Sequence, residues 1–237
     1  MNEQELTRFM REKDGALSLA FPSLMRKVYV WMSLALIITG ITAYGVASSP
    51  GLITAFYTNR MLMWGVVIAE FALVFALSAA LNRLSLSVAT LLFVVYSVLN
   101  GVMFSSIFLV YTMSSVANVF FITAGTFAAM AAYGYFTKSN LTTLGKYLLM
   151  ALIGLVIATV VNIFVGSSML SLVISYAGVL IFVGLTAYDS QKIKQMLAQQ
   201  VDADETAQKV ALLGALTLYL DFINLFLYLL RLLGNRR

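Results

Sequence analysis

The sequence predicts an all-α integral membrane protein, a bundle of seven transmembrane helices. Three observations predict it. Of the 237 residues, 61% are hydrophobic and only 11% are charged, whereas a soluble domain is about half apolar and about a quarter charged. The mean hydropathy is +0.93. The apolar residues also gather into seven long runs, each approaching the roughly 20 residues that carry a helix across a bilayer. A membrane β-barrel would show short alternating segments instead.

In chain order, residues 1–27 are polar and mixed in charge, with Glu3, Glu5, Arg8, Arg11, Glu12, Lys13, Asp14, Arg26 and Lys27. No apolar region followed by a small-residue cleavage site opens the chain, so no cleaved signal peptide is expected. The segment reads as a solvated tail on the cytoplasmic side. The transmembrane domain, 28–233, holds spans at 28–47, 61–81, 86–110, 115–136, 146–165, 169–188 and 211–233, and 234–237 form a short tail. Connections such as Asn82–Ser85 and Gly166–Ser168 are short. The linker 189–210 reads as a helical extension, Ser190–Leu197, followed by an acidic turn, Asp202–Glu205. Trp31 and Trp64 fall near span starts, where interfacial aromatics belong. Small residues inside the spans (Gly40, Gly45, Gly125, Gly178, Gly184) suit close helix packing. Pro22 precedes the first span and Pro50 lies between spans, so no proline hinge is expected.

Orientation follows from Lys and Arg. With the N-terminus in the cytoplasm, the inner segments hold eleven of the fifteen basic residues, and the outer ones hold Arg60, Arg231, Arg236 and Arg237. That excess favours the N-terminus inside. Seven spans then leave the basic C-terminus outside, against the same rule.

The sequence contains no cysteine and no histidine. Disulfides, thiol nucleophiles, Cys or His metal sites and histidine pH sensing are therefore excluded. A bound metal would be a hard cation such as calcium, and nothing calls for a cofactor. The net charge of +5 is no nucleic-acid signal here, since in membrane proteins Lys and Arg set orientation and meet anionic lipid headgroups. An enzyme is not expected: a serine dyad has no histidine, and of the paired motifs of an intramembrane aspartyl protease Tyr188-Asp189 is only a partial match and the second is absent.

Four ionisable residues lie within or at the ends of spans: Glu70, Arg83, Asp189 and Asp221. An ionised carboxylate near the bilayer centre costs about 2.5–3.5 kcal/mol on lenient scales, so such residues are functional candidates once a partner is named. Glu70 falls near mid-membrane, and its plainer reading is a neutral structural glutamate. Arg83 could simply snorkel to headgroups. Asp189 ends span six, and could be an interfacial residue paired with Lys192 one turn on. Asp221 is too short to snorkel and lies inside span seven. Asn224 and Tyr228 share its face and form a polar stripe on an otherwise apolar helix, which suits a bundle interior or a pore wall. Two carboxylates brought together resist ionising together, and the pair titrates as a unit. As first drawn, Asp189 and Asp221 lie about 15 Å apart along the membrane normal, a conflict removed if span six sits deeper or span seven begins earlier.

The segments Gly184–Ile193 (G-L-T-A-Y-D-S-Q-K-I) and Ala215–Phe226 (A-L-T-L-Y-L-D-F-I-N-L-F) carry a resemblance to the Bax inhibitor-1 family in its bacterial form. The resemblance covers nearly the whole chain. It implies a seven-helix bundle with the C-terminal helix at its centre, acting as a pH-sensitive calcium leak. By motif it makes Asp189 and Asp221 the di-aspartyl sensor and the site where calcium would be met. It makes Arg83 the candidate lock against Asp189, and places Glu70 along the ion path, to which Asn224 is added from the polar stripe. Expected partners are membrane lipids, calcium and protons. Two other functions stay open: a regulator of a membrane-anchored ATP-dependent protease contacting it through Met1–Lys27, as some relatives are held to do, and a proton-coupled transporter. The compartment expected is a bacterial inner membrane.

Overall fold

Backbone amides and carbonyls have no water to bond in hydrocarbon, so chains cross it as helices that satisfy their own backbone. The computed structural model describes the backbone of residues 3–200 and 202–237, and the side chains of all of these except residues 3–20 and Asn82. The order is α1 (Glu3–Ala47), α2 (Pro50–Thr58), α3 (Arg60–Ala79), a 3-10 turn (Leu81–Arg83), α4 (Leu86–Val110), α5 (Met113–Phe136), α6 (Thr142–Val165), α7 (Ser168–Ala198) and α8 (Glu205–Leu233). Among the described residues seven helices are long and apolar enough to cross a membrane, α1 doing so over Phe21–Ala47. The protein is therefore all-helical and built to span a membrane.

Most of these helices start at a polar side chain that accepts a hydrogen bond from an otherwise unpaired amide of the first turn. Asn59 accepts from Met61 and Leu62, Ser85 from Val88, Thr112 from Ser115, Ser167 from Leu170, and Asp204 from Ala207. α6 ends at Gly166, whose φ of 66° lies in the left-handed region that glycine enters without steric cost. These caps explain why connections as short as Gly166–Ser167 suffice.

Three features differ from the sequence reading. The helix of α1 extends back through the segment read as a polar tail, and Pro22 consequently lies inside a helix; the side chains of residues 1–20 are outside the described ones. The stretch between the first two spans holds a separate short helix, α2. Its Tyr57 hydroxyl donates to the Met103 carbonyl at 3.1 Å and accepts from the Ser106 amide at 3.2 Å, which ties α2 to α4. The third difference is the start of α8. α7 continues to Ala198, as the expected helical extension has it, but α8 already starts at Glu205 rather than at 211, so only a turn separates them. Asp204 as cap and Glu205 in the first turn, where a negative charge favours a helix start, bring the beginning of α8 forward.

Exposure separates the helices. α3 buries Leu77 alone and α6 buries only Gly145 and Leu155, while Phe71, Phe75, Ile163 and Phe164 are more than two-thirds exposed. Such faces belong against lipid, which is as apolar as they are. α8 is the most buried helix, with Leu218, Tyr219 and Leu225 fully enclosed, and it packs on α1, α4, α5 and α7. A groove of ≈ 1010 Å³ opens between α1 and α5 and is floored by Phe222 of α8.

The chain enters at one end of the bundle, where Lys27 Nζ donates to Gln208 Oε1 of α8 at 3.0 Å and the Leu86 amide donates to Glu205 Oε1 at 2.9 Å. It leaves at the other, where the tail pairs with the α4–α5 turn: the Arg237 amide donates to the Val110 carbonyl and the Asn235 amide to Ser115 Oγ. The basic C-terminus thus lies at the opposite end from Lys27.

Two contacts hold the middle of the bundle. Thr39 Oγ1 of α1 donates to the Ser97 carbonyl of α4 at 2.9 Å and lies 2.7 Å from the Tyr219 hydroxyl of α8. Since the single threonine proton goes to Ser97, the tyrosine is the donor in that second bond. Gly134 of α5 lies where α5 and α7 cross most closely, so a Cβ there would run into the Ala187 carbonyl. Gly134→Ala is expected to destabilise by about 1–3 kcal/mol, the usual range for overpacking, lowering the thermal unfolding midpoint in detergent. Gly125→Ala, with open space around its Cβ, is not expected to lower it; equal losses at both positions would contradict the close crossing. In a double-mutant cycle on unfolding, Thr39→Val and Tyr219→Phe are expected to show coupling of about 1 kcal/mol, the net worth of a buried hydrogen bond. Strict additivity would contradict the bond.

Candidate functional site

Asp189 lies within α7, a helical turn and more from its end, because the following residues are clamped to neighbouring elements. Ser190 Oγ donates to the Ala131 carbonyl of α5 at 2.8 Å. Gln191 accepts from the Leu141 amide at 2.9 Å and donates to the Ser139 carbonyl at 2.8 Å, closing the α5–α6 turn with one side chain. Lys194 Nζ donates to the Tyr135 carbonyl at 2.7 Å and sits 4.9 Å from the centre of that ring. Upstream, the Tyr188 ring lies against Gly145 of α6, and Thr186 returns its hydroxyl proton to the Phe182 carbonyl of its own helix. Neighbours on α5, the α5–α6 turn and α6 therefore fix the rotation of α7, and the face left over points Asp189 at α8.

On α8 the residue facing it is Asp221. Asp189 is 9% exposed and Asp221 5%, and their carboxyl groups lie within hydrogen-bonding reach of one another. Asp221 Oδ2 has no hydrogen-bond partner among the described residues. Two carboxylates have acceptor oxygens only, so this contact is a hydrogen bond only when one of the pair carries a proton. The expected separation of about 15 Å is thus corrected: with α7 running past Asp189 and α8 beginning six residues before the expected Ala211, the two acids meet.

The other residues expected at the site fall differently. Arg83 is itself exposed, on the 3-10 turn after α3, and among the described residues it forms no ion pair with Asp189. The cation whose charge reaches Asp189 is Lys192, itself exposed and 5.8 Å from the Tyr188 ring centre. Asn224 is half-buried and its Nδ2 donates to the Leu220 carbonyl one turn back, so that donor serves its own helix. Tyr228, the third member of the expected stripe, stacks on Phe182 with ring centres 5.9 Å apart and fits over Gly178.

Glu70 is not at the carboxyl pair. It is half-buried in the middle of α3, and its Oε1 has no hydrogen-bond partner among the described residues. Tyr96 of α4 and Tyr219 of α8 meet edge-on with ring centres 5.9 Å apart. Tyr219 continues through its hydroxyl to Thr39. This second polar cluster joins α1, α4 and α8 and is not evident in the sequence. Its one signal was position: Tyr219 precedes Asp221 by two residues, so the two point to opposite faces of a helix. α8 thus presents a carboxyl to α7 and a phenol to α1 and α4.

Calcium takes about six to eight oxygen ligands. Among the described residues no three acidic side chains come together as a metal-binding group, so the Asp189–Asp221 pair does not complete a resident calcium shell.

The chain matches, over residues 22–237, the family model described as inhibitor of apoptosis-promoting Bax1. It is 50% identical over 215 residues to the inner membrane protein YbhL of Escherichia coli K12, covering 90% of this chain and 92% of that one. A protein of Borreliella burgdorferi is 47% identical over 213 residues, covering 90% and 92%, and one of Deinococcus radiodurans 42% identical over 213 residues, covering 90% of each. The match spans every transmembrane helix and both acidic segments, and on it the chain belongs to the Bax inhibitor-1 family.

Proposed function

We propose that the protein is a pH-sensitive calcium leak channel of a bacterial inner membrane, with Asp189 and Asp221 as its pH-sensing pair. The observation that carries this reading is the contact itself: two buried carboxyl groups, one from each arm of the α7–α8 hairpin, facing each other with no Lys or Arg side chain in an ion pair with either among the described residues. A contact that needs one proton responds to pH by its nature. With no histidine in the sequence, few other devices for sensing pH near neutrality remain. Family membership and the name of the Escherichia coli relative support the membrane assignment, and the excess of Lys and Arg in the segments at the Lys27 end supports placing the N-terminus in the cytoplasm.

In this reading α8 is the central helix, and the shared proton holds α7 against it. Loss of that proton leaves two anions face to face, which repel each other and attract a divalent cation. Glu70, at mid-depth on α3, and Asn224, one turn beyond Asp221, are the further oxygen-bearing side chains along the route. Arg83 lies exposed on the turn at the Lys27 end, so the neutraliser in this conformation is the proton. An arginine lock would require the turn after α3 to move inward.

Calcium entry into proteoliposomes, followed from about pH 5.5 to pH 8 to bracket a coupled carboxyl pair, tests the proposal. Flux of the unaltered protein is expected to change with pH, and Asp189→Asn and Asp221→Asn are each expected to flatten that dependence. A pH profile unchanged in both variants would refute the sensor. Absence of flux at any pH would refute the channel and favour a regulatory protein with a structural acid pair.

A further inference from the structure

The C-terminal end of the bundle carries a second polar feature, remote from the carboxyl pair. A cavity of ≈ 420 Å³ lies between the α6–α7 turn, the last turn of α8 and the chain's tail. That size falls within the roughly 300–1,000 Å³ of small-molecule pockets. One wall is the start of α7, with Ser168 and Ser171; the other carries Arg231 and Arg236. The two guanidinium groups come from different elements. Arg231 ends α8 and lies 5.8 Å from the Tyr228 ring centre, while Arg236 lies 6.0 Å from that of Tyr111. The tail that carries Arg236 is tied down on both sides of it: the Thr112 amide donates to the Asn235 carbonyl at 3.2 Å, and the Arg237 amide to Val110 at 3.0 Å.

Neither arginine is in an ion pair among the described residues, and the sequence explains why. Of its ten acidic residues, none falls in the segments 48–59, 111–112, 166–167 or 234–237 that make up this end. Asn162 and Ser167 spend their oxygens on the Ser167 and Leu170 amides. The hydroxyls of Ser168 and Ser171, by contrast, have no partner among the described residues. The same arginines are the ones that contradict the positive-inside pattern, which a purely topological role cannot explain.

We propose that this cavity binds a phosphate-bearing anion, held by Arg231 and Arg236 with Ser168 and Ser171 donating to its oxygens. Planar guanidinium forks match phosphate oxygens in pairs, and the cavity lies where the helices leave the hydrocarbon, at the level of lipid headgroups. Two sources share this chemistry: the headgroup of an anionic phospholipid and free phosphate.

Native mass spectrometry of the full chain in detergent distinguishes them, with phosphatidylglycerol, phosphatidylcholine and inorganic phosphate as probes. The site predicts preferential retention of phosphatidylglycerol. In Arg231→Gln/Arg236→Gln that retention is expected to fall about tenfold, the scale of one lost charge-assisted contact. Lys138→Gln/Lys146→Gln, at the other end of the bundle, is expected to leave it unchanged. Ser171→Leu, which fills the cavity from the opposite wall, is expected to give the same loss and serves should the arginine variant fold poorly. Displacement of the lipid by inorganic phosphate would identify a free-anion site, and persistence of the lipid a headgroup site. Equal retention of phosphatidylglycerol and phosphatidylcholine, or full retention in both cavity variants, would overturn the proposal.

Discussion

A carboxyl group facing another carboxyl group in a membrane interior is stable only with a proton between them, and the bundle is arranged around that requirement. Asp189 and Asp221 come from the two arms of the α7–α8 hairpin and are almost fully enclosed. Without the proton, the site would hold two charges that cost several kcal/mol to bury and repel each other. The packing leaves few substitutes. Lys192 is exposed, and Arg83 stands on the turn after α3. The contact between the two acids is therefore conditional on protonation in a way that the apolar contacts of α7 with α8, such as Phe182 on Tyr228, are not.

The surrounding structure is correspondingly unconditional. Ser190, Gln191 and Lys194 each bond a carbonyl or amide of α5 or the α5–α6 turn, and Gly134 and Gly145 let α7 approach α5 and α6 closely. These contacts hold α7 to the outer helices whatever the state of Asp189. On the opposite face of α8, the Tyr219–Thr39 bond and the rings of Phe93 and Tyr96 hold it to α1 and α4. A change at the carboxyl pair thus acts where α7 meets α8, an interface that apolar contacts of α8 with α5, such as Phe120 and Phe127 on Phe222, also hold.

The fold was largely legible in the sequence because the bilayer imposes span length and forbids unpaired backbone, and both leave long apolar runs. The acids of the pair were legible for the same reason: a charge in such a run is conspicuous. Their contact was not, because depth was counted from the apolar boundaries, while α7 and α8 extend beyond them as polar helices through Lys192–Ala198 and Glu205–Val210. Apolarity marks where lipid lies, not where a helix stops. The short α2 escaped notice because nine residues at an interface carry no membrane-length signal. Tyr219 and Thr39 escaped because a buried hydroxyl in a span looks like any packing residue until its partner, far away in sequence, is known. Arg83 was matched to Asp189 through the family resemblance and a shared depth, neither of which says which direction its side chain takes.

The most direct test is infrared spectroscopy of the protonated-carboxyl band during pH titration, comparing the unaltered protein with Asp189→Asn and Asp221→Asn. If the two acids share one proton, the unaltered protein titrates as a coupled pair. Its curve then differs from the sum of those of the two variants, each of which retains one of the acids. If the curve of the unaltered protein equals that sum, Asp189 and Asp221 titrate independently, and the shared proton on which the proposed gate depends does not exist.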